Sequence, residues 1–167
     1  MSENRPVSCG KIEQPALFLG EGRIEIDKTA TLGYFPSPYF YSGYQHIEAR
    51  SKDAAVFVGA GTFLNNNAVV IAERAKITIG KNCLIGTNFR CLSSDFHGVD
   101  PDAREVYKSA DIQVGDNVFV GNDVVILKGV TIGAGTTIAA GAVVTRSFPP
   151  KSVIAGNPAK LIKTIGE

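Results

Sequence analysis

The sequence predicts an all-β chain wound as a parallel β-helix, and three observations carry that prediction. First, residues 114–145 read in sixes: Val114-Gly-Asp-Asn-Val-Phe, Val120-Gly-Asn-Asp-Val-Val, Ile126-Leu-Lys-Gly-Val-Thr, Ile132-Gly-Ala-Gly-Thr-Thr, Ile138-Ala-Ala-Gly-Ala-Val, Val144-Thr. Second, an aliphatic residue opens each hexad, Gly or Ala usually follows it, and the fifth place is small or β-branched (Val118, Val124, Val130, Thr136, Ala142). Third, hexads also occur upstream, at Val58, Leu64, Ile79 and Ile85. A helix repeats at about 3.6 residues and a strand at about 2, so neither period explains a repeat of six. One hexad supplies a short strand and a tight corner, and three hexads close a triangular coil that stacks on the next. The opening aliphatic faces inward, each one stabilising the stack by roughly 1.5–3 kcal/mol relative to exposure. Gly or Ala at the second place is expected to let the chain bend at the corner. An α/β sheet with Val-rich strands is the competing architecture, and six hexads in phase argue against it.

The chain divides into three parts of a single domain. Residues 1–57 are expected as an irregular N-terminal segment: a flexible start, then an edge strand or short entry segment near Ala16-Leu-Phe-Leu, then a loose first coil over 22–32. Within it, residues 34–46 hold four of the five tyrosines and two prolines. Proline excludes a helix there, so an aromatic loop packed on the prism is expected. Its aromatic faces would also suit a sugar ring. His46 falls in this stretch and reads as a packing or surface residue. Residues 58–147 form the β-helix. A phase slip between Val70 and Ile77 marks a longer corner. Residues 92–111 carry no hexad and form one protruding loop. A long polar excursion from a regular scaffold is usually functional. Residues 148–167 close the prism: Pro149 and Pro150 end the coil, and residues 159–165 cap the open end as a short strand or helical turn.

Bulk composition narrows the function. Seventeen basic and sixteen acidic residues leave a net charge of +1, too little to recruit nucleic acid. No apolar run is long enough to span a membrane, and no signal-peptide core opens the chain, so the cytoplasm is the expected compartment. Three cysteines, an odd number, argue against a disulfide framework. Cys83 and Cys91 fall at small and inward places of the repeat and read as buried thiols rather than nucleophiles.

His97, inside the protruding loop, is the candidate catalytic base. Acyl transfer from a thioester to an alcohol needs a group that takes the hydroxyl proton and returns it to the leaving thiolate. It also needs donors aimed at the tetrahedral oxyanion, and Gly-rich corners can present backbone N–H groups.

The hexads and the loop Ser93-Ser-Asp-Phe-His97-Gly-Val-Asp-Pro, followed by Arg104-Glu-Val-Tyr-Lys-Ser109-Ala-Asp-Ile-Gln-Val-Gly, resemble the hexapeptide-repeat acyltransferases. The likeness is greatest to the maltose and galactoside O-acetyltransferase group and covers about residues 58–163. It implies a left-handed parallel β-helix, acetyl-coenzyme A as acyl donor without a metal, and a homotrimer with sites between subunits. It implies His97 as base and the backbone N–H of Asn122 as oxyanion donor. Asn65 and Asn67 match an acceptor-contacting pair, and Asp95 would face substrate or orient His97. Ala140, Thr145, Arg146, Lys160 and Lys163 match coenzyme A contacts, with the basic side chains suited to phosphate. The N-terminal 57 residues depart from the helical start of maltose acetyltransferases. That departure leaves the acceptor open: the resemblance implies a hydroxylated small molecule or glycan, such as a sugar or polysaccharide precursor, with a nucleotide amino sugar, serine or an antibiotic as alternatives on the same fold. A gamma-type carbonic anhydrase needs three histidine ligands, and this chain has two, His46 and His97.

Overall fold

The computed structural model describes residues 5–166, and within them the chain winds as a three-faced prism. The first coil runs through β1 (Lys11–Ile12), β2 (Ala16–Gly20) and β3 (Arg23–Ile26), one strand on each face. The second adds β4 (Thr31–Leu32), β5 (Gln45–Ala49) and β6 (Ala55–Val58), and the third β7 (Phe63–Leu64), β8 (Val69–Ala72) and β9 (Lys76–Ile79). The fourth adds β10 (Leu84–Ile85), β11 (Arg90–Leu92) and β12 (Ile112–Val114), and the fifth β13 (Phe119–Val120), β14 (Val125–Leu127) and β15 (Thr131–Ile132). The sixth begins with β16 (Thr137–Ile138) and β17 (Val143–Val144), then returns to the third face at Phe148, which bridges to Ile132. The chain re-enters the first face as β18 (Ser152–Ala155), and β19 (Lys160–Thr164) folds back on it.

Strand order on the first face is β1-β4-β7-β10-β13-β16-β18-β19; the second carries β2, β5, β8, β11, β14 and β17, and the third β3, β6, β9, β12 and β15. The named pairings are parallel apart from β18 with β19. Register is set by the inward stripe: Val70, Cys91, Ile126 and Val144 stand one above another on the second face and all are buried. The hexad-opening aliphatics Leu64, Ile85, Val120, Ile126, Ile132, Ile138 and Val144 are all 2% exposed or less. The phase slip lies at Glu73-Arg74-Ala75, the corner between β8 and β9. Cys83 and Cys91 are buried inside the prism, and burial pushes both thiols up, away from thiolate character.

Three details differ from the sequence reading. Residues 11–57 are not irregular: they supply β1–β5 and nearly all of β6, in register with later coils, for example Ile47 beside Val70. The expected flexible start lies partly in residues 1–4, outside the described residues, as does Glu167 at the end of the closing segment. Pro149 and Pro150 do not end the coil. They form a corner between Phe148 and β18, where Gly133 packs against Pro150; of the two forms expected for the cap, residues 160–164 take the strand.

The third difference concerns the corner. The bend falls at the fourth place of the hexad, where Gly61, Asn67, Asn82, Asn88, Asn117, Asp123, Gly129, Gly135 and Gly141 all take left-handed backbone (φ between 53° and 75°). Asn and Asp tolerate that region because their short polar side chains bond locally. The second-place glycine serves close stacking instead: a Cβ on Gly121 would sit 2.6 Å from Ala140 N. Replacing Asn117 (φ 56°) by Gly should leave the urea unfolding midpoint nearly unchanged. Asn117→Val should lower stability by about 1–3 kcal/mol, because a β-branched residue is strained there.

Candidate active site

A groove of about 530 Å³ runs up the first face at its edge with the second. Its floor is apolar, from Phe63, Leu84 and Phe119, which point outward at equivalent positions of β7, β10 and β13. Its wall is the column of corners carrying Asn65, Gly86, Gly121, Asn122, Ala139 and Ala140. At these corners the third-place N–H is capped by a side chain from its own corner or from the coil above: Asn66 N donates to Asn65 Oδ1 at 2.8 Å. Thr87 N donates to Asn122 Oδ1 at 2.9 Å. Above Asn122 stands Ala140, which has no acceptor to offer. Among the described residues the N–H groups of Asn122 and Ala140 find no hydrogen-bond partner, whereas Asn122 C=O accepts from Gly141 N at 2.8 Å. Gly86 and Gly121 keep these groups open, since a Cβ there would lie 2.8 Å from Asn122 N and 2.6 Å from Ala140 N. Thus Asn65, Asn122 and Ala140, proposed from sequence, line one groove.

The aromatic segment projects from the same edge at the lower end of the groove. Asn66, fully buried, fastens it: its Oδ1 accepts from Tyr34 N (2.8 Å), and its Nδ2 donates to the carbonyls of Tyr34, Ser37 and Pro38 (2.9–3.0 Å). Gln14 Nε2 adds a bond to Tyr39 C=O at 2.7 Å. Tyr34 packs edge-on against Phe63 of the groove floor, with centroids 5.8 Å apart. Asn65 Nδ2 donates to Ser37 Oγ at 3.1 Å, so this residue joins groove and loop. Asn67 has a different place. Its Nδ2 donates to Asn88 Oδ1, and Asn88 Nδ2 donates to Asp123 Oδ1, making a ladder along the corners.

His97 stands on another edge. The 93–111 loop leaves the second face after β11 and returns to the third at β12. His97 is exposed and does not line the groove. The loop around it is tightly tied. Ser94 and Ser109 bridge its two limbs, with Asp95 N donating to Lys108 C=O at 3.1 Å. Arg104 Nη1 donates to Gly98 C=O at 2.7 Å, and Gly98 N to Arg104 C=O at 2.8 Å. Asp95 pairs with Lys128 of the coil above at 2.5 Å. In the other direction, Arg50 lies over the Phe96 ring at 4.8 Å and Arg74 over the Tyr107 ring at 5.0 Å.

These two arginines belong to a charged cluster on the second face that sequence reading missed. Glu48 points outward from β5 yet is 1% exposed. Arg50 Nε donates to its Oε1 at 2.7 Å, and His46 Nε2 lies 3.1 Å from its Oε2. Glu73 stands 3.8 Å from Arg50 and 3.5 Å from Arg74. Burial pushes the Glu48 carboxyl up, but bonds from Arg50 and His46 more than reverse this, leaving its pKa below the ordinary value. His46 is therefore not a lone loop histidine. The available signal was the alternation His46-Ile-Glu48-Ala-Arg50, which places three polar residues on one face of a strand.

The remaining coenzyme A candidates split between edges. Lys160 and Lys163 lie exposed on β19, at the top of the face that bears the groove. Thr145 and Arg146 follow β17, on the edge shared with the His97 loop, and the Arg146 guanidinium lies 5.3 Å from the Phe148 ring centroid.

Comparison with known proteins agrees with this architecture. Residues 111–146 match the family model described as bacterial transferase hexapeptide (six repeats), and residues 76–91 match the hexapeptide repeat of succinyl-transferase. A Saccharomyces cerevisiae protein provisionally designated an acetyltransferase is 33% identical over 145 residues, which is 86% of this chain and 69% of that protein. A Dictyostelium discoideum protein of like designation is 42% identical over 112 residues (66% of this chain, 58% of that protein). The sophorolipid acetyltransferase of Starmerella bombicola is 46% identical over 114 residues (67% and 43%). The chain thus spans between 43% and 69% of the length of these relatives. Among solved structures, a hexapeptide-repeat acetyltransferase of Vibrio cholerae complexed with acetyl coenzyme A superposes with a TM-score of 0.62 at 28% identity, covering 90% of this chain and 72% of that one. A maltose O-acetyltransferase of Clostridium difficile gives 0.61 at 28% identity, covering 93% and 71%. The chain belongs to the hexapeptide-repeat acetyltransferase family, and its fold is the left-handed parallel β-helix.

The cluster yields a pH prediction. A carboxyl whose folded pKa lies below its unfolded value contributes stability above the unfolded value and loses it as pH falls through the folded one. Glu48 is such a group, with Arg50 and His46 as its partners. Chemical denaturation at stepped pH should show the wild type losing stability more steeply below about pH 4 than Glu48→Gln.

Proposed function

We propose that the chain is an acetyl-coenzyme A-dependent O-acetyltransferase acting on a sugar or another hydroxylated glycan precursor, with His97 as general base. The observation that carries this reading is the apolar groove with two open backbone N–H groups, Asn122 and Ala140, on one wall. Such a groove suits a pantetheine arm, whose own amides need partners along an otherwise apolar path. Lys160 and Lys163 at its upper end suit phosphate. Coenzyme A was bound in the Vibrio neighbour as its acetyl ester, and the Clostridium neighbour is named for maltose.

The chemistry is direct transfer. An acceptor hydroxyl oxygen attacks the thioester carbonyl carbon while His97 takes its proton. The carbonyl oxygen becomes an oxyanion and accepts a hydrogen bond from Asn122 N–H. Collapse breaks the carbon–sulfur bond, and the thiolate leaves with the proton held by His97. The acceptor is bound beside Asn65 and the aromatic segment, where tyrosine faces and hydroxyls fit a sugar ring. Asp95, paired with Lys128, acts on the loop that carries His97 rather than on the acceptor. The cytoplasm remains the expected compartment, and the three cysteines are free.

Groove and His97 lie on different edges of one prism. In this reading they meet across the boundary between neighbouring subunits of a homotrimer, the groove of one chain facing the His97 loop, Thr145 and Arg146 of the next. The exposed Leu84 and Phe119 are then covered.

His97→Ala should lower turnover by roughly 10²–10⁴ without changing the melting temperature, measured as thiol release from acetyl-coenzyme A. Retained turnover removes the mechanism. A panel of sugars, amino sugars and serine in the same assay identifies the acceptor. Coexpression of His97→Ala chains with Gly86→Val chains, each inactive alone, should restore about a quarter of the sites by random mixing in a closed ring. No restoration places both halves of the site in one chain.

A further inference from the structure

The ion pair of Glu48 and Arg50 has no part in the groove, and its carboxylate is buried at a strand face that the repeat leaves free for any residue. Burying a charge pair is a poor route to stability, because desolvation offsets most of the attraction. Its position explains it better. Three corners between the second and third faces stack on one edge: residues 50–54, 73–75 and 93–111. The long one hangs down over the two shorter ones. Each of its limbs rests an aromatic ring on a cation held from below, Phe96 on Arg50 and Tyr107 on Arg74. Glu48 fixes Arg50 through two bonds, at 2.7 and 3.3 Å, and Glu73 stands between both arginines. Phe96 immediately precedes His97 and takes left-handed backbone (φ 61°), a conformation that a bulky residue holds only when its surroundings enforce it.

We infer that Glu48 and Arg50 are positioning residues for the acyl-transfer reaction, holding the His97 imidazole in place through the Phe96 ring. The inference rests on the reading of His97 as the base. Arg50 supplies a flat, weakly hydrated cation that can stack on the ring while its Nε serves Glu48. Glu48 removes the freedom of the arginine side chain. Phe96 turns that rigidity into a fixed direction for the next residue. Neither Glu48 nor Arg50 touches substrate in this account, so their loss misplaces the base and leaves donor binding intact.

The test is steady-state kinetics on the full chain with Arg50→Met, Phe96→Leu and the double variant, beside His97→Ala. Since a small misplacement of a reacting group can cost up to about a hundredfold, Arg50→Met should lower kcat by about ten- to a hundredfold. KM for acetyl-coenzyme A should stay within about twofold, because uniform binding is untouched. Arg50→Lys should recover part of the loss. Residues acting through one contact are non-additive, so the double variant should be no slower than the worse single one. Glu48→Gln combined with Arg50→Met removes both charges together and guards against a fold defect from an unpaired carboxylate, checked by the melting temperature. The chain has two histidines, so the His97 ring signal is easily assigned by NMR, and it should broaden or move in Arg50→Met. Wild-type kcat in Arg50→Met, multiplicative losses in the double variant, or an unmoved His97 signal each overturns the inference. Activity surviving in His97→Ala would instead overturn the reading of the base, a distinct result from the same assay.

Discussion

Every feature of this protein depends on the vertical registry between coils. Parallel strands about 4.8 Å apart bond each backbone group to the coil above or below. Each inward aliphatic then stands on its counterpart, as Val70, Cys91 and Ile126 do on the second face. A one-residue slip inside a strand would turn its buried side chains outward, so insertions are confined to corners. The 34–44 loop occupies one edge, and the 93–111 loop, together with the enlarged corner at 50–54, occupies another. Loops accumulate at edges because only there can chain be added without breaking the registry.

That constraint also decides what could be read in advance. The uninterrupted hexads from Val114 reveal the prism at once, because the inward residues are spaced evenly. The coils before residue 58 obey the same rule, but their inward residues Leu32, Ile47 and Val56 are separated by the aromatic loop and a long corner. The period is physically present and hidden by length. The corner was misread for a related reason. Glycine is frequent at the second place, yet the backbone turns at the fourth, where Asn, Asp and Gly alternate down the column. Reading down the column rather than along the chain would have found it. The resemblance singled out Asn65, Asn122 and Ala140, and their hexad places put them along one groove. The relation of Glu48, Arg50 and Glu73 to Phe96 and Tyr107 was not, since it joins stretches about forty residues apart that only the stacking of corners brings together.

Asparagine at the third place illustrates how little chemistry separates one corner of the stack from another. The edge between the third and first faces repeats the arrangement of the groove wall. There Lys81 N donates to Asp116 Oδ1 at 2.7 Å, just as Thr87 N donates to Asn122 Oδ1. Above Asp116 stands Ala134, as Ala140 stands above Asn122, and a second hollow of about 760 Å³ lies beside it. The geometry is equivalent, and the charge is not. Asp116 places a carboxylate on the residue that corresponds to Asn122, and Glu25, Asp27, Lys28 and Lys81 line the same hollow, whereas no charged residue lines the first groove. The Asp116 carboxylate disfavours an anion beside its own N–H at short range, and the two lysines offset the other two carboxylates. Asn122 offers the same side-chain acceptor to the coil below, but as a neutral amide, and leaves its own N–H facing an apolar groove where a hydrogen bond to an oxyanion is strong. The stack therefore builds potential donor sites at more than one corner by geometry alone. In the proposed reaction, the neutral amide of Asn122, set against the carboxylate of Asp116, favours the first groove for a thioester oxygen.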